Sequence, residues 1–245
     1  RDRSVSRGLG DVYKRQTVVK VCNWLSLPLQ ALGCCILYLV IEAFSRHSLA
    51  SAWSYMVESP WVFLYNAFLI FTTFMVVYLF RRRVLVRLVM SCFWLLLGII
   101  NGVILANRVT PFTGPDLRNL SDGAKVVTKY LSKGTMILVA AALVALLAFF
   151  VWVWIKGPKF QGKIRWYLNV PLIALVIVLF TGATNLALAK RVLSSYFVNI
   201  AFAYQDYGYP YCLAVTLFDT GISEPNGYSE QLCLLYTSPS PRDTE

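Results

Sequence analysis

The sequence predicts an all-α polytopic membrane protein: five transmembrane helices, with short interfacial and juxtamembrane helices between them. Three observations carry that prediction. Apolar runs of about 20 residues recur five times, and at 1.5 Å per residue each is roughly 30 Å long, the thickness of a bilayer's hydrocarbon core. The chain is 58% hydrophobic and only 14% charged, with a mean hydropathy of +0.60, which a soluble domain of 245 residues does not show. Its net charge of +11 is gathered in short clusters between the apolar runs, where it reads as an orientation signal. A nucleic-acid partner would call for a basic helix with interleaved polar residues, and the sequence has no such pattern.

The first span covers about 25–44, with Pro28 in its tolerant first turn and Glu42 and Arg46 four residues apart at its far end, an interfacial ion pair. No small-residue cleavage pattern follows, so it does not read as a signal peptide. Residues 45–60 place Leu49, Trp53 and Met56 on one side of a short helix suited to the interface. The second span, 61–80, has one polar interruption, Asn66, whose expected partner at that depth is a neighbouring helix. After the basic run at 81–87 comes the third span, 88–106. Ser121 then caps a surface helix with Val126, Val127 and Tyr130 on its apolar side and Lys125, Lys129 and Lys133 opposite. The fourth span, 137–155, carries the small-residue pair Ala141 and Ala145, which predicts close helix contact, and the fifth covers 166–189. Residues 191–200 are expected to continue as a helix leaving the membrane.

These spans make a five-helix domain at 17–190 and a juxtamembrane linker at 191–231. The linker is broken by turn signals at Gly208-Tyr209-Pro210, Thr220-Gly221 and Pro225-Asn226-Gly227. Arg81, Arg82, Arg83 and Arg87 fall on one side with Lys156, Lys159, Lys163 and Arg165, and the positive-inside rule makes that side cytoplasmic, with the N-terminus cytoplasmic and the C-terminus extracellular. Arg108, Arg118, Lys125, Lys129 and Lys133 load the outer loop with the same sign and count against it. Cys22, Cys34, Cys35 and Cys92 lie in or beside apolar helices with no CxxC pair, and His47 is the single histidine, so the cysteines read as small buried hydrophobes. Residues 1–16 and 232–245 share no pattern with what they flank. They resemble the VYKRQ and LYTSPSPRD peptides that recur at the ends of translated metagenomic assemblies, and as artefactual tails they are set aside from fold reasoning. The alternative is a basic disordered arm at each end.

The stretch at 101–117, NGVILANRVTPFTGPDL, is the candidate site. Asn101 and Arg108 are seven residues apart, about two helical turns, and so share a face. Pro111 and Gly114-Pro115 then bend the chain where the helix meets the headgroups. Two readings stand side by side: a snorkelling arginine followed by an ordinary loop, or a lipid-headgroup or phosphate contact made by Asn101 and Arg108 with Thr110 and Thr113 in support.

Asn101, Arg108, Thr110, Pro111, Phe112, Thr113, Asp116 and Leu117 resemble the NxxxxxxRxTPFTxxDL region that follows the third helix in the lipoteichoic acid synthase family. A second signature agrees, in Ala203, Tyr204, Asp206, Tyr207, Gly208, Pro210 and Tyr211, then Thr220, Gly221, Ile222, Pro225 and Tyr228. The resemblance covers about 17–231. It implies a bacterial plasma-membrane protein, five helices anchoring a large extracellular sulfatase-fold domain. That domain transfers glycerol phosphate from phosphatidylglycerol to a growing polymer with a threonine nucleophile and a manganese ion. Beyond the fifth span this sequence has no His and no acidic cluster with ligand spacing, so no catalytic residue, cofactor or metal ligand is carried over to it. The expected partners are the phosphatidylglycerol bilayer and the missing extracellular domain. A phosphoethanolamine transferase of the same architecture, or a non-enzymatic transporter or scaffold, are the alternatives.

Overall fold

The computed structural model describes residues 26–119, 133–157 and 166–218. The two terminal tails, the surface helix expected after Ser121 apart from Lys133, which begins α6 below, residues 158–165 and the turn signals beyond residue 218 lie outside the described residues. Among the described residues every regular element is helical. In chain order they are α1 (Ser26–Ser45), α2 (Leu49–Glu58), α3 (Pro60–Phe74, running on as a 3₁₀ segment over Met75–Leu79), α4 (Arg83–Leu105), α5 (Gly114–Arg118), α6 (Lys133–Lys156), α7 (Trp166–Ala189), α8 (Ile200–Tyr207) and α9 (Tyr209–Phe218). Among the described residues four helices are long and apolar enough to cross a membrane: α1, the continuous Pro60–Leu79, α4 and α7. The expected fourth span falls on α6, whose apolar portion at Ala141–Lys156 is shorter than the other four.

α3 is the centre of the bundle. It is 56% buried, against 28% for α1 and for α4 and 6% for α7, so α7 and the outer faces of α1 and α4 present Leu, Val, Ile and Phe outward, as a bilayer allows and water does not. The tightest helix pair is α1 with α4. A Cβ added at Gly102 would come within 2.8 Å of the Phe44 carbonyl oxygen, and one at Gly98 within 3.2 Å of Ile41. Gly98 and Gly102 thus form the small-xxx-small seam that lets two membrane helices approach closely. That seam was expected at Ala141 and Ala145, but both are exposed. α6 meets the bundle at its other end, through the buried Val153 and through Trp154, over whose ring the Arg82 guanidinium lies at 4.6 Å.

Polar contacts define the two ends of the bundle. At one, the arginine end, Ser26 Oγ and Tyr78 Oη are 3.3 Å apart, Asn169 Nδ2 donates to the Tyr78 carbonyl at 2.8 Å, and Arg87 Nε donates to Gln30 Oε1 at 3.3 Å. The opposite end gathers the C-termini of α1, α4 and α7 with α2, α5, α8 and α9.

Two helices stop at that opposite end by the same device. His47 (φ 53) and Arg191 (φ 57) are left-handed. His47 N–H donates to the Phe44 carbonyl and Ser48 N–H to Ala43, while Arg191 N–H donates to Leu188 and Val192 N–H to Ala187. This is the Schellman pattern, with a basic residue in the place glycine usually takes. It corrects the expectation of a helix over 191–200. The Schellman turn ends α7, and helix resumes only at Ile200, where Asn199 Oδ1 accepts from Ala201 N–H at 2.9 Å. α2 forms as expected and Ser48 caps it, with Leu49 and Trp53 exposed, but Met56, expected on their side, packs with Ala52 and Tyr55 toward the core, and Val57 is exposed instead.

Candidate functional site

At the opposite end the stretch 101–117 folds onto itself and onto α9. Asn101 is fully buried; its Nδ2 donates to Ser45 Oγ at 2.9 Å, and its Oδ1 accepts from the Phe112 N–H at 2.8 Å. It therefore clips α4 to α1 and to the bend, and the headgroup contact expected of it is corrected: both ends of the amide are engaged away from any surface. Arg108 donates through Nε to the Thr110 carbonyl, through NH2 to the Pro111 carbonyl, and through NH1 and NH2 to the two oxygens of Asp116. Four of its five N–H groups are thereby used, in a bidentate fork. The side chain stays 41% exposed.

Thr113 sits just ahead of α5. Its N–H and hydroxyl both donate to Asp116 Oδ2 at 2.9 Å, the N3 carboxylate of a capping box reaching back to the helix start. Thr113 is thus bonded within the chain, and of the expected contacts only Arg108 and Thr110 lie on the open side. Burial pushes the Asp116 carboxyl up, but Arg108 and Thr113 together outweigh it, and its pKa falls below the ordinary 3.8. A depressed carboxylate stabilises the fold above its unfolded pKa, and that contribution is lost as pH falls through the lower folded value. Asp116→Asn is expected to lower the melting temperature at pH 7 through about 1–2 kcal/mol of lost fork and cap. It should also flatten the curve of melting temperature against pH below about pH 4. A wild-type slope retained there in the variant would contradict the assignment.

α5 rests directly on α9. Gly114 N–H donates to Thr216 Oγ1 at 3.0 Å, Arg118 donates to the Leu217 carbonyl at 3.2 Å, and a Cβ on Gly114 would lie 2.2 Å from the Thr216 carbonyl oxygen. From the other side α1 and α3 hold the start of α9. Glu42, completely buried, accepts from Tyr209 N–H and from Tyr38 Oη at 3.0 Å each and from Arg46 Nε at 3.1 Å. Asn66 accepts from Tyr211 N–H at 2.9 Å and donates to the Tyr207 carbonyl at 2.8 Å. The orphan N–H groups of a helix start, with the positive end of its dipole, thus meet a carboxylate and an amide oxygen. Arg46 also reaches the Gln205 carbonyl at 2.7 Å. The turn between α8 and α9 needs Gly208, at φ 80 with Tyr38 Oη 2.2 Å from where its Cβ would be.

The 101–117 stretch and the described part of the second signature, 203–211, therefore meet at one end of the bundle, where α8 and α9 are seated. Burial pushes the pKa of the Tyr209 hydroxyl and of the Cys212 thiol up. The described cysteines are free thiols, and among the described residues no three His, Cys, Asp or Glu side chains gather as a metal site would need.

Beside this unit runs an open groove of about 800 Å³, walled by α3, α4, α7 and α9 and lined by Tyr65, Leu69, Leu97, Phe180, Leu213 and Phe218. Its polar groups satisfy one another: Trp94 Nε1 donates to Thr73 Oγ1 at 3.0 Å, and Tyr65 Oη lies 2.9 Å from Thr184 Oγ1. What remains is an apolar trough with Ser195 and Tyr196 at its rim. The groove has no signal in the sequence, because its lining is drawn from several separate elements and none of its residues is unusual in an apolar helix. The expected Glu42–Arg46 ion pair is present at 3.1 Å; that Glu42 also accepts from a helix start 167 residues downstream has no local signal.

Comparison with protein-family profiles, with curated proteins and with solved structures returned no match.

Proposed function

We propose that this chain is the membrane half of a phosphoglycerol transferase of the lipoteichoic acid synthase type, anchoring a catalytic domain and presenting phosphatidylglycerol to it. The observation that carries the reading is that α9, which bears part of the second signature, is seated on the 101–117 stretch and at the same time walls an apolar groove of about 800 Å³. On this reading the protein is polytopic. α6 is the remaining span, since its 24 residues reach about 36 Å as a helix, and the arginine end is cytoplasmic. The groove opens in the outer leaflet, takes an acyl chain, and brings the headgroup toward Arg108, whose remaining N–H and exposed edge face outward, with Thr110 beside it. The threonine nucleophile and manganese ion that the resemblance implies belong to the sulfatase-fold domain, and no residue described here is assigned to them.

The test is native mass spectrometry of the chain released from a neutral detergent supplied with equal phosphatidylglycerol and phosphatidylethanolamine. Phosphatidylglycerol should stay bound preferentially. Ala214→Trp, which fills the trough from α9, should reduce its retention about tenfold, equivalent to roughly 1.4 kcal/mol. Preferential retention of phosphatidylethanolamine would favour a phosphoethanolamine transferase, and retention of neither lipid would favour a scaffold; either result overturns the proposal.

A further inference from the structure

The arginine end holds a second cavity, of about 360 Å³, between α1, the end of α3 and α4. Ser26 and Gln30 are one helical turn apart on α1, and Arg87 and Ser91 one turn apart on α4, so four polar side chains from facing helices line one space. Gly33 and Phe74 complete the wall, and a Cβ added at Gly33 would meet nothing within 4 Å, so the space extends over it.

Gln30 is 7% exposed. Its orientation is fixed by Arg87, because Nε–H can donate only to the amide oxygen, and it does so at 3.3 Å. That leaves the Gln30 Nε2 group buried in the cavity wall without a hydrogen-bond partner. A buried amide donor in that state costs free energy until something accepts from it. Among the described residues Arg87 has no carboxylate to turn to. The described carboxylates, Glu42, Glu58, Asp116 and Asp206, all belong to elements at the opposite end, and the nearest aromatic face, Tyr78, lies 6.0 Å from the guanidinium. An amide donor, two hydroxyls and an uncompensated guanidinium around one cavity make a donor-rich, positively charged site.

We propose that this cavity binds a phosphate oxyanion, with Arg87 presenting its terminal N–H groups, Gln30 donating through Nε2, and Ser26 and Ser91 donating through their hydroxyls. The chemistry is the same whether the phosphate is a lipid headgroup entering from the leaflet at the arginine end or is free in solution. The inference is independent of the lipid groove and of any downstream domain, since it involves neither α9 nor the 101–117 stretch.

Thermal unfolding of the purified chain in neutral detergent tests it, with three probes: dioleoyl phosphatidic acid, dioleoyl phosphatidylcholine, and inorganic phosphate set against chloride at equal ionic strength. Saturating oxyanion should raise the melting temperature by roughly 5 °C. A rise with phosphatidic acid alone identifies a lipid ligand, and a rise with inorganic phosphate as well identifies a soluble one. Gln30→Glu gives Arg87 an internal carboxylate and places negative charge where the oxyanion would sit, so it should fold without ligand and lose the rise. Ser91→Leu fills the cavity without touching the Arg87–Gln30 contact and should lose it too. No rise with either phosphatidic acid or inorganic phosphate, an equal rise with phosphatidylcholine, or a rise undiminished in both variants overturns the proposal.

Discussion

Gly208→Ala is expected to cost roughly 3–5 kcal/mol, at the severe end of single substitutions. Two causes add. Gly208 has φ 80 and ψ 152, a region open essentially to glycine alone. The new Cβ would also fall 2.2 Å from Tyr38 Oη and 2.8 Å from Asn66 Nδ2. Neither neighbour can retreat cheaply, because Tyr38 is tied to Glu42 and Asn66 to the backbone on both sides of the turn. Relief requires α8 and α9 to leave their seat together. The melting temperature in detergent should fall by roughly 10 °C, if the protein is recovered at all. An unchanged value would mean that the helix pair is not seated as described.

Glu42→Ala should be comparably severe, about 3–5 kcal/mol, since it removes one partner of a buried ion pair. The Tyr209 N–H and Tyr38 hydroxyl lose their acceptor without access to water, and Arg46, whose side chain is 18% exposed, loses its carboxylate. Glu42→Gln keeps an acceptor oxygen for Tyr209 and Tyr38 and gives up only the charge, so it should cost much less, about 1–2 kcal/mol. A double-mutant cycle with Arg46→Met isolates the pair, and coupling well above the typical surface value of less than about 1 kcal/mol is expected. Equal penalties for the alanine and glutamine variants would show that charge, and not acceptance by a helix start, is what Glu42 provides.

The helix boundaries were legible in the sequence because hydrophobic runs report them directly, and four of the five expected spans fall within a few residues of the observed helices. The boundary at 191 was not legible. A left-handed arginine gives no compositional warning, whereas a glycine there would have. The seam between α1 and α4 is legible in the GxxxG spacing of Gly98 and Gly102, but the same small-residue spacing at Ala141 and Ala145 makes no such contact, so spacing alone does not choose between them. At the candidate site, the gathering of Arg108, Thr113 and Asp116 could be read from Pro111 and the Gly114-Pro115 turn. What they bond to could not, because a guanidinium that suits phosphate suits a carboxylate equally well. Asn101 shared their face, but its partners, Ser45 and the Phe112 N–H, depend on how α1 returns past α4, and no local pattern encodes that.

The 3₁₀ ending of the central helix changes the length of its apolar run. Thr73 Oγ1 donates back to the Ile70 carbonyl at 2.6 Å and Thr72 Oγ1 to Phe68 at 2.9 Å, just before the winding tightens at Met75–Leu79. Three residues per turn align Met75 and Tyr78 on one line, and both are buried against Val176 of α7. The tighter winding also rises about 2.0 Å per residue instead of 1.5 Å, so five residues lengthen the helix by roughly 2.5 Å. Mismatch between a hydrophobic segment and a bilayer costs a fraction of a kcal/mol per ångström, so for an apolar helix long enough to cross a membrane an increment of that size is felt as energy.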